Sequence, residues 1–351
     1  MALHMINAIY RVGIEENTTS PGLRVMDVRQ DLDETDRRIA ALLLAAPRAS
    51  WREVGRRLDL SERTVVRRAA PLYADGTLRA TVVRNPARFP GVIPLALRIR
   101  ARPDKVRSVA GALARRDDTV WVDILGGGDE ISAVFFLESP EARNTLLLRD
   151  LPATDAVQAW SAYTLLRVYP TAFRWTAGLL SAEETSGLHS AEATMASAPA
   201  PLAFDPALIE ALTEDGRASY AEIAHRAGTT PLTARRRLEA LLSAQVLRLA
   251  TEVDLALLGI HAEALLWISV QPGALEQTAY ALTEHPGVRF AAATTGPSNL
   301  LVALAAADLD ALYAFLTSTL GPLSQITAVE TTPLLATAKR TGLIRHGRPR
   351  V

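Results

Sequence analysis

The feature that most constrains this chain is a repeat. A shift of 169 positions (217 − 48) lays Arg48 on Arg217, Trp51 on Tyr220, Glu53 on Glu222, Thr64 on Thr233, Arg67 on Arg236, Arg68 on Arg237, Leu72 on Leu241 and Leu78 on Leu247, with no gap. The stretches paired in this way are Ser50 to Arg79 and Ser219 to Arg248. The same shift lays Pro103 on Pro272, Trp121 on Phe290, Gly127 on Gly296 and Leu165 on Leu334. A repeat on this scale sets the domain count before any element is assigned. The chain is a tandem duplication of one two-domain unit.

Local signals give the unit its fold. In the first copy Asp33 can cap a helix whose first turn carries Asp36, where negative charge suits the helix dipole. Ile39, Leu42 and Leu43 recur at helical spacing until Pro47 stops the run. Ser50 caps a second helix, with Glu53 as its capping-box partner and Val54 and Leu58 facing inward. Ser61 caps a third helix carrying Arg63, Thr64, Arg67 and Arg68. Asp75-Gly76 marks a turn, and Thr77 to Val83 alternates like a strand. Helices joined by a tight turn and followed by a strand ribbon predict a winged helix-turn-helix. Proline inside a helix costs about 3 kcal/mol, so the third helix is expected to bend or end near Ala70, just before Pro71. The second copy has Ala240 there, and its helix is expected to run on to Leu242.

From Gly91 the pattern changes. Ile93 to Ala101 reads as a strand, Pro103 to Ala114 as a helix, Val120 to Leu125 and Ile131 to Leu137 as two strands around a glycine turn, Ser139-Pro140 as a helix start, and Val157 to Val168 as a last strand. The order βαββαβ predicts a ferredoxin-like α+β sandwich. The fold class is therefore α+β, with two winged helix-turn-helix domains and two such sandwiches in tandem. The expected division is a flexible N-terminal tail (1–30), helix-turn-helix 1 (31–85), sandwich 1 (86–180), a flexible linker (181–203), helix-turn-helix 2 (204–254), sandwich 2 (255–340) and a C-terminal tail (341–351).

Bulk properties narrow the function. The 38 basic and 38 acidic residues leave no global field to draw the chain onto DNA or a membrane, so any nucleic-acid surface must be a local patch. Cysteine is absent, which excludes disulfides and thiolate metal sites and fits a cytoplasmic location. No apolar run approaches the roughly 18 residues of a membrane span. The first residues lack the layout of a signal peptide, and Met26 is an alternative translation start. Histidines at 4, 189, 225, 261, 285 and 346 have no metal-ligand spacing, so no metal site is expected. No nucleophile elbow or phosphate-binding glycine loop is present, so no catalytic residue and no cofactor is predicted.

Two features carry chemistry. Arg63 and Arg67 are four apart on one helix face, with Thr64 and Arg68 beside them. Such a helix fits the major groove, where arginine reads guanine bidentately and others hold phosphate; the alternatives are a solvated charged face or a protein contact. The second is the turn at Gly296, where glycine permits positive φ and exposed amides beside Ser298 and Asn299 can hold a carboxylate or an amino group. Its alternative is a plain β-turn. Trp51 and Tyr220 are expected in the core, and Trp160 and Trp175 at an interface.

The helix-turn-helix pattern L-D-L-S-x-x-T-V-x-R-R, the following D-G-x-L turn and the βαββαβ domain resemble the leucine-responsive/asparagine-responsive (Lrp/AsnC) transcription regulators. Thr295-Gly296-Pro297-Ser298-Asn299-Leu300-Leu301 is similar to that family's T-G-x-x-[DN]-L-L turn. The resemblance covers nearly the whole chain, once per half, whereas family members usually carry one copy. In the first sandwich the turn reads Gly126-Gly127-Gly128-Asp129-Glu130, with no Thr-Gly.

This resemblance implies a regulator that binds double-stranded DNA and is tuned by a small effector of the amino-acid class at its sandwich (RAM) domains. The implied DNA-contacting residues are Ser61, Arg63, Thr64, Arg67 and Arg68 in the first copy, and Thr230, Thr233, Arg235, Arg236 and Arg237 in the second. The implied effector residues are Thr295, Gly296, Ser298, Asn299 and Thr331, with Gly127, Asp129 and Glu130 in the first copy. Asn299 would meet the polar end of the ligand and Glu130 an ammonium group; of Thr331 and Thr332, alternation lets only one face the pocket. Half-sites about 34 Å apart suit a two-fold pair of helix-turn-helix units. One chain contains such a pair, so it can act as a pseudo-dimer, and chains are further expected to associate through apolar sheet edges and faces.

Residues 29–84 hold 12 basic and 8 acidic side chains against 6 and 6 in residues 203–250, so the first copy is expected to bind DNA more strongly and with the steeper salt dependence. The resulting expectation is a division of labour, with Arg67 and Arg68 leading DNA affinity and Gly296 to Asn299 leading ligand sensing. The rival class is an enzyme. Siroheme decarboxylases resemble the same unit and need histidine on the strand after the inter-strand turn, where this chain has Ile131-Ser132-Ala133-Val134 and Leu300-Leu301-Val302-Ala303. A third reading is a ligand sensor that has lost DNA binding.

Overall fold

The computed structural model describes residues 32–169, 175–188 and 205–345. The expected N-terminal tail, most of the expected linker and the last residues of the chain lie outside them. Asp33, Ser50 and Ser61 each accept a hydrogen bond from the backbone N–H three residues on, and so start α1 (Glu34–Ala45), α2 (Trp51–Leu58) and α3 (Glu62–Ala74). Asp59 stands between α2 and α3 with φ 55°, in the left-handed region that aspartate tolerates better than most side chains. The third helix does not end at Ala70. It runs through Pro71 to Ala74, because Val65, Ala69 and Leu72 are buried along one face and hold the last turn despite the missing proline N–H.

After β1 (Arg79–Arg84) come β2 (Ile93–Ala101), α4 (Val106–Ala114), β3 (Thr119–Leu125), β4 (Glu130–Leu137), α5 (Pro140–Thr145, continued by a π turn Leu146–Asp150) and β5 (Val157–Val168). A short α6 (Ala182–Thr185) follows. The second copy repeats the plan with α7 (Pro206–Glu214), α8 (Tyr220–Arg226), α9 (Pro231–Ser243), β6 (Leu247–Glu252), β7 (Ala262–Val270), α10 (Leu275–Thr283), β8 (Val288–Thr294), β9 (Leu300–Ala306), α11 (Leu309–Ala314, with a π turn Phe315–Leu320), β10 (Ile326–Arg340) and β11 (Leu343–Ile344). The helix expected from Pro103 starts three residues later, at Val106, with no side-chain cap.

The two four-stranded sheets, ordered β3-β4-β2-β5 and β8-β9-β7-β10, are not separate. β5 pairs with β8, and β10 pairs with β3, so the strands close into one ring. The register obeys the repeat: Leu165 faces Thr294 in one seam, and Leu334 faces Leu125, the residues 169 positions away, in the other. Between the sheets lie Leu125, Val134, Tyr163 and Leu165 from one copy and Leu265, Trp267, Phe290 and Leu301 from the other. Full burial of a large apolar side chain contributes about 1.5–3 kcal/mol, so this seam is a shared core. The helices cover the outer faces, α4 and α5 on one sheet and α10 and α11 on the other.

The strand ribbon is also shared. β1 and β6 pair antiparallel, with Thr81 opposite Ala250. Those two positions are related by the 169 shift, so a local two-fold axis passes through the pair and relates the helix-turn-helix units. Each unit supplies one strand, and the wing forms between copies and not within one. The sheet edges and faces on which association between chains was expected to rest are therefore paired inside a single chain.

The expected linker and the expected C-terminal tail both begin with residues that pack on the helix-turn-helix pair. Residues 181–188 are not free linker: Ser181 forms a capping box with Glu184, Arg38 pairs with Glu184, and Arg57 donates to the Glu184 and Ser186 carbonyls at 2.8 Å each. Residues 341–345 form a hairpin end on the ribbon, where Thr341 donates to Glu252 at 2.6 Å and Arg345 at 2.9 Å.

Candidate functional site

The two helix-turn-helix units meet through a reciprocal exchange. Arg48 Nη1 donates to the Gly216 and Ala218 carbonyls at 2.8 and 3.0 Å, and Arg217 donates to the Pro47 and Ala49 carbonyls at 2.6 and 3.1 Å. Arg217 also lies over the Trp51 ring at 3.9 Å and Arg48 over Tyr220 at 5.2 Å. Trp51 and Tyr220 were expected in the core; they are half-buried and serve as the stacking platforms of this exchange. Burial lowers the Arg217 guanidinium from its ordinary value. Trp175, an expected interface residue, donates to the Pro286 carbonyl at 2.7 Å, whereas Trp160 packs against the first sandwich core.

With the units so fixed, α3 and α9 present their polar faces to solvent. Arg63 and Arg67 are exposed on α3, and Arg236 is exposed on α9; none makes a hydrogen bond or ion pair with the described residues. Arg52, at the start of α2, shares that state and escaped the sequence reading, with only Ala221 as its counterpart. The neighbouring Glu53, expected to close a capping box with Ser50, gives its carboxylate to Arg56 and Arg57 instead.

The other predicted DNA residues have partners. Arg68 is drawn back onto Asp33 and Asp36 (the latter at 3.1 Å), whose hydrogen bonds raise its pKa. Arg237 is held in the same way by Asp205, and Arg235 pairs with Glu239 at 2.8 Å. Arg68 and Arg237 thus brace the first helix of their unit against the third, and would have to exchange these ion pairs to meet DNA. Ser61 and Thr64 hydrogen-bond each other at 2.8 Å at the start of α3, as Thr230 and Thr233 do at 2.9 Å at the start of α9. These hydroxyls build the helix starts.

The turns lie where the sandwiches join. In the second copy Thr295 N–H donates to the Thr164 carbonyl at 3.0 Å and Thr164 N–H to Thr295 Oγ1 at 2.9 Å, extending the seam between β5 and β8. Gly296 has φ 99°, and a Cβ there would stand 2.8 Å from the Tyr163 ring. Asn299 accepts from Val270 N–H and donates to the Val270 carbonyl, both at 2.8 Å. Both ends of the Asn299 amide are therefore engaged by backbone, as the Thr295 hydroxyl is by Thr164. Ser298 is half-buried and its side chain has no partner among the described residues.

The first turn is charged. Gly126 and Gly128 have φ 36° and 78°, and Gly127 between them is exposed. Glu130 is already paired with Arg98, whose Nη2 lies 3.1 Å from Glu130 Oε2, so it does not stand ready for an ammonium group. Arg98 also donates to both Glu330 oxygens, at 2.6 and 2.7 Å, and lies 5.4 Å over Trp267. Glu330 and Glu130 raise the Arg98 pKa, and Arg98 lowers that of Glu330. Asp129 lies 3.6 Å from Arg100. Thr332, not Thr331, faces this turn, its Cγ2 standing 3.1 Å from where a Gly126 Cβ would be. Sequence reading missed Arg98 and Glu330. The signal was an arginine within the apolar run IPLALRIRA, laid by the repeat on Trp267.

Between the sheets, a buried charge cluster joins Arg340 to Glu263 at 2.9 Å, Arg289 to Glu263 at 3.5 Å and Thr337 to Asp123 at 2.6 Å. Burial pushes the Glu263 carboxyl up, but the Arg340 and Arg289 guanidiniums outweigh it and hold it down at about 2. A cavity of about 20 Å³ lined by Trp121, Asp123, Ser132 and Phe290 has room for one water and none for an amino acid.

This arrangement defines a class: a single chain with an internal two-fold that pairs helix-turn-helix units above joined ferredoxin-like sandwiches. Residues 32–72 and 203–242 match the AsnC-type helix-turn-helix domain, and residues 263–344 match the Lrp/AsnC ligand binding domain. An uncharacterized HTH-type transcriptional regulator of Pyrococcus horikoshii is 28% identical over 143 residues, which are 40% of this chain and 90% of that protein. A second, from Pyrococcus furiosus, is 29% identical over 143 residues, 40% of this chain and 96% of that protein. The crystal structure of the siroheme decarboxylase NirDL covers 90% of this chain and 95% of its own, with a TM-score of 0.55 and 14% identity, a likeness of fold alone. The chain belongs to the Lrp/AsnC family of transcription regulators, as a tandem fusion.

Proposed function

We propose that this regulator binds double-stranded DNA as a single chain, with α3 and α9 supplying the two half-site readers, and that a small effector of the amino-acid class tunes that binding. The observation that carries the reading is the set of exposed, unpaired arginines, Arg63 and Arg67 on α3 and Arg236 on α9, on units that the β1–β6 ribbon relates by a two-fold axis. Guanidinium groups without internal partners lose no ion pair when they meet phosphate or guanine. The domain division expected from the sequence is kept, except that 175–188 and 341–345 belong structurally with the helix-turn-helix pair.

The effector is assigned to the first turn and not the second. There Arg98, Glu130 and Glu330 bring both signs of charge to the junction of the two copies, and Glu330 stays half in solvent, so a zwitterion can exchange for the Arg98–Glu330 pair. Exchange would loosen β10 from β2 and bias the frame that holds the ribbon, which is the differential contact that coupling requires. Association between chains is kept as a secondary expectation, through the exposed and repeat-related Leu166 and Leu335 on β5 and β10.

The test is a gel-shift and thermal-shift series with the full chain, the DNA upstream of its own gene and a panel of amino acids. Expected are retardation of the duplex and a raised melting temperature with at least one amino acid, by mass action. Absence of retardation at low salt overturns the DNA reading; retardation with no responsive amino acid overturns the effector reading. The enzyme reading finds no support in the strands after the turns: His261 and His285, the histidines described in the second sandwich, lie before β7 and after α10.

A further inference from the structure

The two recognition helices are held by one symmetric frame but do not carry the same reading residues. At the second helical position α3 has Arg63 and α9 has Leu232, which is 67% exposed. A leucine that protrudes so far from a helix start contributes nothing to the core of its own unit. One residue earlier the pair is Glu62 against Pro231, and one turn later Val66 against Arg235, which Glu239 engages. Of the two unpaired arginines on α3, only Arg67 has an arginine counterpart, Arg236.

Residues at the start of a recognition helix are the ones that meet base edges. A free arginine there pairs bidentately with guanine O6 and N7, while an apolar side chain makes contact with the thymine methyl and leaves a guanine edge unsatisfied. The register of the β1–β6 ribbon, symmetric about Thr81 and Ala250, holds the helices in two-fold relation, so the difference lies in the side chains and not in the docking geometry.

We infer that the DNA site of this chain is not a palindrome: α3 reads a half-site that requires guanine opposite Arg63, and α9 reads a half-site with thymine at the equivalent position opposite Leu232. The inference rests on the DNA-binding reading above and goes beyond it, since a chain with identical helices would read a palindrome.

The test is selection of duplexes from a random pool by the full-length chain, followed by affinity measurements with Arg63→Leu and Leu232→Arg. Expected is a two-part motif with unlike halves. Arg63→Leu should weaken binding to the selected duplex by about 10-fold and relax the guanine requirement in one half only. Leu232→Arg, at an exposed position, should replace thymine by guanine in the other half and bring the motif close to a palindrome. A palindromic motif from the unchanged chain overturns the inference, as does an Arg63→Leu variant that alters both halves alike. No retention of any duplex overturns the DNA-binding reading itself, and the two failures are thereby told apart.

Discussion

The two helix-turn-helix units have the same backbone plan and different surroundings. The core of the first takes in Val253, Leu255, Leu257, Leu258 and Ile260 from the segment before β7, and is backed by Trp175, Leu179, Leu180 and Leu188 from the segment after β5. The second has Val82 from β1 and little else from outside itself; at Pro86–Arg88, the repeat counterpart of the Leu255–Leu258 turn, no residue is buried. The better-anchored unit also carries the unpaired Arg52, Arg63 and Arg67, where the other has Ala221, Leu232 and Arg236. Duplication thus kept the frame symmetric and let the third helices diverge, one toward anchorage and unpaired charge, the other toward an apolar start with two of its three arginines ion-paired.

The largest expected effect tests the frame that both units share. Glu263→Gln leaves the buried Arg289 without its ion-pair partner and Arg340 with Asp123 alone, at 4.0 Å, which should cost about 3–5 kcal/mol in chemical denaturation and lower the protection of both units equally in hydrogen exchange. Loss confined to one unit would break the idea of a common frame. The same group sets an acid limit. The Glu263 carboxyl titrates at about 2 in the fold, below its ordinary 4.5, so its stabilisation is full above pH 4.5 and is lost as the pH falls through about 2. Glu263→Gln should abolish that part of the acid transition, as read by circular dichroism.

Next in size, Leu258→Ala should sharpen the contrast of anchorage. Leu258 is 3% exposed and packs in the first unit's core, so the cavity left should cost about 2–5 kcal/mol. Amides of α1 to α3 should exchange faster while those of α7 to α9 stay unchanged. Equal opening of both units would contradict the different packing around them.

Much of this was legible in the sequence. The 169 shift, the helix caps at Asp33, Ser50 and Ser61, and the strand Ile93–Ala101 could be read because each depends on near neighbours along the chain. The extent of α3 could not, because the packing of Leu72 outweighs the local penalty of Pro71. The site residues divide in the same way. Arg63 and Arg67 stand where their helix spacing put them, but the partners of Arg68 lie on another helix, Asn299 is satisfied by Val270, and Arg98 meets Glu330 across a distance of 232 residues. Those pairings follow from closing the sheets on each other, which no local pattern encodes.

A smaller effect probes the contact between units. Arg217 stacks on Trp51 at 3.9 Å and Arg48 on Tyr220 at 5.2 Å. Arg217→Ala should therefore cost about 1–2 kcal/mol in thermal or urea unfolding, and Arg48→Ala less. Equal losses would show that the carbonyl contacts, which are equivalent, outweigh the stacking.

The divergence of the two readers is tested most directly by substituting the same two positions in each. Affinity of the full chain for its selected duplex would be measured across a salt series for Arg63→Ala/Arg67→Ala and for Leu232→Ala/Arg236→Ala. The first pair should weaken binding by roughly 100-fold and the second by roughly 10-fold, each reducing the salt slope by about 1, because Arg63 meets guanine and leaves only Arg67 and Arg236 for phosphate. Equal losses, or a greater loss from the second pair, would contradict the unequal division of DNA binding between the two copies.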